Sequence, residues 1–248
     1  MIHQLSALIY SGFWEVLDWV FPPECAACGE PGYRLCLNCQ SHIRFTDDWL
    51  EIGSESGARS HSRRQSQDVP DHCEDSRHLA YYEGVIRECV HSIKYQENRG
   101  LGEFFSKLLM ILVQNANWDI NLIIPVPLSD ARLKERGYNQ SALIARPLAA
   151  RLRVPCNAYG LERVLDTPSQ VGLSAEERRK NVAGAFIARS DIVQAKSILL
   201  LDDVMTTGST LRACAGAAMR AGSQAVYAVT LGRHIDRSQA SVLRIDQV

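Results

Sequence analysis

From Leu79 onward, short apolar runs alternate with stretches in which apolar residues return every three to four positions. The runs Ala80 to Tyr82, Leu122 to Val126, Ala185 to Ala188, Ile198 to Leu201 and Ala225 to Leu231 have the length and branching of buried strands. The stretches Val85 to Ile93, Leu101 to Gln114, Asn139 to Leu152 and Ser209 to Ala221 have helical spacing. Strands alternating with helices predict an α/β fold, a parallel sheet flanked by helices. Pro147 falls within the third helical stretch, so that helix is expected to kink or restart there. Near the start, Leu5, Leu8, Ile9, Phe13, Val16, Leu17 and Val20 also recur at helical spacing, which predicts an amphipathic helix packed on the protein, with docking on a membrane surface as the alternative. Glu15 and Asp18 interrupt the run before it can span a bilayer, so no stable membrane insertion is expected.

Composition changes the picture in one place. From Asp47 to His78 the chain turns to Ser, Arg, Gln, Asp, Glu and Gly, which reads as a flexible linker. Three segments follow: 1–46 for the N-terminal helix and a cysteine-rich module, 47–78 for the linker, and 79–248 for the α/β domain. The net charge of -1 over 248 residues excludes nucleic-acid binding driven by overall charge, leaving only local basic clusters for that role. The apolar N-terminal segment has no Lys or Arg ahead of it and no small-residue cleavage site after it, so it does not read as an export signal.

Cys25, Cys28, Cys36 and Cys39 form a C-x2-C-x7-C-x2-C pattern among turn-forming Pro22-Pro23, Gly29 and Pro31-Gly32. Two such knuckles place four thiolates around a tetrahedral Zn2+ with no open position, so the metal would be structural. A module this small cannot bury a core of its own, and the ion would supply its folding energy. The alternative is a pair of disulfides, which requires an oxidising compartment. Cys73, Cys89, Cys156 and Cys214 are scattered and read as small buried apolar residues, and His72, Cys73 and His78 have no role that the sequence assigns.

The segment from Ile198 to Thr210 carries the chemistry. Its apolar run ends in Asp202 and Asp203, then continues through Met205, Thr206, Thr207, Gly208, Ser209 and Thr210 into a helix. Carboxylates at the end of a strand can accept hydrogen bonds from a vicinal diol or hold water around a divalent cation. The hydroxyls, the glycine and the free N–H groups of a helix start favour a phosphate. The plain alternative is a strand followed by an ordinary helix cap, but adjacent acids repel and are seldom placed together without a partner. A second loop follows Val126, with Arg132, Lys134 and Arg136 suited to a pyrophosphate, Gly137 freeing the backbone and Asn139 capping the next helix. A third basic cluster, Glu176 to Asn181 with Arg178 and Arg179, reads as a loop able to fold over a bound anion, or as an exposed helix start. Lys94 is a further candidate contact.

The Asp202 to Thr210 segment resembles the phosphoribosyl-pyrophosphate (PRPP) motif of type I phosphoribosyltransferases. Together with the four cysteines, Tyr82-Glu83-Gly84, Ile93-Lys94-Tyr95, Pro125-Val126-Pro127, Arg136 to Gln140, Arg178-Arg179 with Asn181, and Gly184-Ala185-Phe186, it makes the chain similar to the ComF (competence protein F, or GntX) family. The resemblance implies a type I phosphoribosyltransferase-like sheet with an N-terminal zinc ribbon, in a cytoplasmic protein linked to uptake or use of external DNA. It implies ribose contacts from Asp202 and Asp203, 5-phosphate contacts from Met205 to Thr210, and pyrophosphate contacts around Arg136 and Gly137, with PRPP bound together with Mg2+. Many family members carry a second cysteine-rich knuckle, where this chain has only Cys73 in a longer polar linker.

Two readings follow. In the first, the chain is a transferase in which Arg136, with Arg178 or Arg179, stabilises charge developing on the leaving pyrophosphate. In the second, it is a non-catalytic PRPP-sensing accessory protein that binds single-stranded DNA through Arg132 to Arg136, Arg146, Arg151 and Arg153, with Tyr33, Tyr95 and Tyr138 as stacking surfaces, and works with the DNA-uptake machinery.

Overall fold

The fold comes from a computed structural model that describes residues 22–50, 52, 69–96, 98–165 and 184–234. Its centre is a four-stranded, wholly parallel sheet of β1 (Asp75–Tyr81), β2 (Leu122–Pro125), β5 (Ser197–Met205) and β6 (Ala225–Arg233), in the order β1-β6-β5-β2. Strand β5 sits between two neighbours and is covered on both faces, which is why Ile198 to Leu201 is an unbroken apolar run with no exposed residue. Leu199 and Leu201 face one core together with Val229 and Leu231, while Ile198 and Leu200 face the other with Val226 and Ala228.

The first face is covered by α3 (Gly84–Tyr95), α4 (Leu101–Asn115) and α6 (Gln140–Leu152), and by the cysteine-rich module. The second is covered by α8 (Ser209–Arg220) and by a two-stranded antiparallel sheet, β3 (Leu161–Arg163) with β4 (Phe186–Ala188). The short helices α1 (Leu37–Ser41), α2 (Asp47–Leu50), α5 (Asp130–Arg136) and α7 (Ser190–Val193) complete the described residues. The architecture is therefore the expected parallel sheet flanked by helices with a small N-terminal module.

Three expectations need correction, and a fourth, the kink or restart at Pro147, is narrowed. The run at Ala185 to Ala188 does not join the parallel sheet: Phe186 is buried and Ile187 exposed, the half-covered pattern of a strand with solvent on one side, and it pairs with β3. The stretch expected as a linker has regular structure at both ends. Asp47–Leu50 forms α2, and β1 begins at Asp75, where Arg77 is buried against Asp48 and Asp75 and the His78 N–H is received by Asp48 at 2.8 Å. Helix α6 does not restart at Pro147. Proline there removes the hydrogen bond to the Leu143 carbonyl, and that carbonyl lies against Gly102 of α4, where an added Cβ would come within 2.5 Å of it. Finally, Asp130–Arg136 is a helix rather than a loop, started by the Ser129 hydroxyl accepting from the Arg132 N–H and ended by Gly137 at φ 72°. The N-terminal amphipathic stretch and the segment holding Arg178 and Arg179 lie outside the described residues.

Candidate functional site

The cysteine-rich module is built from two turns and one short helix. The Cys25 N–H donates to the Glu30 carbonyl and the Gly29 N–H to the Cys25 carbonyl, both at 2.8 Å, with Gly29 and Gly32 in left-handed conformations that β-substituted residues resist. Cys36 caps α1, its Sγ receiving the Cys39 N–H, and the Cys36 N–H points to the Cys25 Sγ, each at 3.4 Å. All four Sγ atoms lie within 4.8 Å of one another, and the Cys28 and Cys36 sulfurs are 3.7 Å apart. An ion bound tetrahedrally at about 2.3 Å from each sulfur needs sulfurs about 3.8 Å apart, so the donor set fits a structural zinc with no position left for chemistry. Charge tells the same story. Burial disfavours the Cys25 thiolate, but the N–H groups of Cys36, Ala27 and Cys28 outweigh it and bring the thiol down to about 6. Cys39 is pushed well up by burial and by the other three sulfurs. Crowded thiols of this kind ionise together only around a cation.

The module is seated on the α/β domain. Cys25, Leu35, Cys36, Cys39 and Ile43 share one core with Ile86, Cys89, Val90 and Ile93 of α3. Arg34 lies over Gly100, where a Cβ would come within 1.9 Å of its guanidinium, and donates to Asn98 Oδ1 at 3.3 Å.

At the carboxyl end of the sheet, β5 runs through both acids before ending at Met205, so Asp202 and Asp203 are strand residues. They take different partners. Asp203 is buried and ion-paired with Lys94, from the last turn of α3, and its Oδ1 receives the Val204 N–H at 2.9 Å. Burial alone would lower the Lys94 pKa, but the Asp203 carboxylate raises it above its ordinary value. Asp202 accepts the Ser141 hydroxyl at 3.1 Å and the Asp203 N–H at 2.9 Å, both on Oδ1. Burial, and then the neighbouring Asp203 charge, push the Asp202 carboxyl up to about 8. Beyond Met205 the Thr207 and Ser209 hydroxyls are 2.7 Å apart, and Gly208 at φ 69° turns the chain so that α8 starts at Ser209.

Arg136 is held on the same rim. It donates to Gln140 Oε1 at 3.0 Å and to the Tyr95 hydroxyl at 3.3 Å, and its guanidinium lies 5.0 Å from the Tyr95 ring centroid. The Tyr138 hydroxyl donates to the Ile93 carbonyl, and Asn139 caps α6 while donating to the Val126 carbonyl at 2.9 Å. The last three residues of α3 thus serve three anchors: Ile93 for Tyr138, Lys94 for Asp203, and Tyr95 for Arg136. The three cations do not form a single patch: at about 100° per residue Arg132 and Arg136, four apart, share one face of α5, while Lys134 lies on the opposite side. Arg151 also leaves the proposed basic stretch: Glu103 pairs with it, and it donates to Ser106 at 3.0 Å.

A family model described as a double zinc ribbon domain matches residues 16–49. Among the described residues one four-cysteine cluster is present. The DNA utilization protein YhgH of Salmonella typhimurium is 33% identical over 215 residues, covering 84% of this chain and 83% of that protein. Competence protein F of Haemophilus influenzae is 28% identical over 199 residues, covering 71% and 86%. The chain belongs to the competence protein F family. Competence protein ComFC of Bacillus subtilis is also similar, at 29% over 205 residues, covering 81% of this chain and 73% of that one. Among solved structures, glutamine PRPP amidotransferase from B. subtilis matches 57% of this chain with TM-score 0.36 and 20% identity, and the chain spans 26% of that protein. Adenine phosphoribosyltransferase from Thermoanaerobacter pseudethanolicus matches 58% of this chain and 83% of its own, with TM-score 0.34 and 13% identity.

In this member of the family, Ser141, Gln140 and Tyr95 hold side chains of the candidate site, and reasoning from sequence did not assign them to the acids or to Arg136. For Ser141 a signal existed: it follows the Asn139 cap and so falls in the first turn of a helix that starts at the rim. No helix among the described residues is long and apolar enough to cross a membrane.

Proposed function

We propose that this chain binds PRPP or a related phosphoribosyl ligand at the carboxyl-end rim of its sheet, in a protein that serves DNA uptake or use. One observation carries the reading: the strand bearing Asp202 and Asp203 passes, through a loop turned by Gly208, directly into the first turn of α8. An acid for the ribose hydroxyls at the strand end and helix-start N–H groups for the 5-phosphate therefore lie a few residues apart. Lys94 is paired with Asp203, which leaves Asp202 as the acid offered to the sugar. A Mg2+ ion that arrives with the ligand would favour the ionised form of Asp202, which could then hold the ion's hydration shell. Such an ion would neutralise charge on the pyrophosphate oxygens.

Arg136, braced by Tyr95 and Gln140, supports a pyrophosphate contact, because a guanidinium already fixed in place loses less freedom on binding. If transfer occurs, a nucleophile displaces pyrophosphate at the anomeric carbon, and Arg136 stabilises the charge gathering on the leaving group. The second reading, a non-catalytic PRPP sensor that holds single-stranded DNA, is favoured by the aromatic and cationic pairs Arg136 with Tyr95 and Arg99 with Tyr138, the latter at 4.8 Å. The names of the relatives support the link to DNA.

Calorimetry with PRPP and Mg2+ should show binding that is lost when Asp202 and Asp203 are both replaced by Asn; unchanged affinity overturns the assigned roles. Pyrophosphate release in the presence of a nucleobase supports the enzyme, and salt-sensitive oligonucleotide binding without turnover supports the sensor.

A further inference from the structure

The segment that leads into β1 lies along α8 in register with one stripe of that helix. A Cβ on Gly208 would lie 3.5 Å from Pro70, Arg212 is ion-paired with Asp71 at 2.7 Å, and a Cβ on Gly216 would lie 3.2 Å from His72. Positions 208, 212 and 216 are four apart and lie on one face of the helix. The segment is held in shape by a turn, Cys73 N–H to the Pro70 carbonyl at 3.0 Å, and by His72 in the left-handed conformation at φ 68°. Helical side chains lean toward the N-terminus, which tilts Arg212 toward the turn that contains Gly208, the loop assigned to the phosphate above.

The two partners of the ion pair differ in setting. The Arg212 side chain is 26% exposed, with its Nε buried, whereas that of Asp71 is 71% exposed. A carboxylate that wet holds its partner only weakly, and a dianionic phosphate makes a stronger guanidinium contact. We propose that residues 70–72 form a strap on the phosphate end of the site, in which Asp71 occupies Arg212 until a bound phosphate takes the guanidinium from it. Arg212 is then a further phosphate contact, and Asp71 sets the affinity by competing for it. The inference rests on the reading of the Thr206 to Thr210 loop as a phosphate site.

The test is a double-mutant cycle in the full chain, with ribose 5-phosphate as the probe and binding measured by calorimetry at low salt. Asp71→Asn changes an exposed residue and should tighten binding by about threefold. Arg212→Ala should weaken binding and abolish the effect of the Asp71 change, with thermal unfolding as the check that both variants fold. No effect of Asp71→Asn, or equal tightening in the Arg212→Ala background, overturns the strap, the second result assigning the change to general electrostatics. Failure of the parent and every variant to bind ribose 5-phosphate overturns the phosphate reading and the strap with it.

Discussion

The ribbon and the rim are both clusters of titratable groups, but they are assembled in opposite ways. The ribbon draws its four sulfurs from Cys25 to Cys39, a stretch whose turns are set by its own glycines. The rim draws Lys94 from α3, Arg136 from α5, Ser141 from α6 and Asp202 and Asp203 from β5. A site made of near neighbours can be recognised by spacing, whereas a site made of distant elements exists only once the core has packed. The two are joined at α3, which gives one side to the core shared with the ribbon and its last turn to the rim.

The largest expected effect tests whether the ribbon is as self-contained as its spacing suggests. Cys39→Ser should abolish binding of about one zinc per chain and, because the ribbon shares the core of α3, lower the thermal stability of the whole chain. Structural zinc is worth on the order of 10 kcal/mol in isolated ribbons, of which the intact chain should lose a clear part. Metal analysis with a thermal melt checks it, and an unchanged melting temperature would show the two regions to be independent.

The next prediction concerns the rim. Lys94→Met leaves Asp203 buried and unpaired, a change that typically costs about 3–5 kcal/mol. Urea unfolding measures it, and a cost below about 1 kcal/mol would mean that the pair is dispensable.

A smaller effect separates the two acids by pH. The Asp202 pKa is raised, so its contribution to stability is full below the unfolded value of about 4 and is lost as pH rises through about 8. Asp202→Asn should therefore be more stable than the parent at pH 9, by on the order of 2 kcal/mol, with the difference shrinking toward pH 5. A difference of the same size at both pH values would count against a proton held on Asp202.

Much of the fold was legible in the residues. The apolar run at Ile198 to Leu201 announced a strand covered on both faces, and Asn139 marked a helix start that the structure keeps. Helix α5 was legible too, from Ser129, Asp130 and Gly137, but its basic residues drew attention as a charge cluster instead. The motifs Ile93-Lys94-Tyr95 and Arg136 to Gln140 stood out separately, and nothing in one indicated that it would grip the other.

By itself, then, the sequence determined the four-cysteine cluster, the parallel α/β architecture and the pattern of acids and hydroxyls around Asp202 on which the proposed sugar-phosphate site rests. Each of these depends on spacing, periodicity and turn chemistry, which act over a few residues. Only the tertiary structure decided that Lys94 pairs with Asp203, that burial raises the Asp202 pKa beside Ser141, that Pro147 is accommodated by Gly102, and that Asp71 holds Arg212. Those outcomes depend on which groups are brought within a few ångströms after burial removes water, and the local sequence carries no record of such distances.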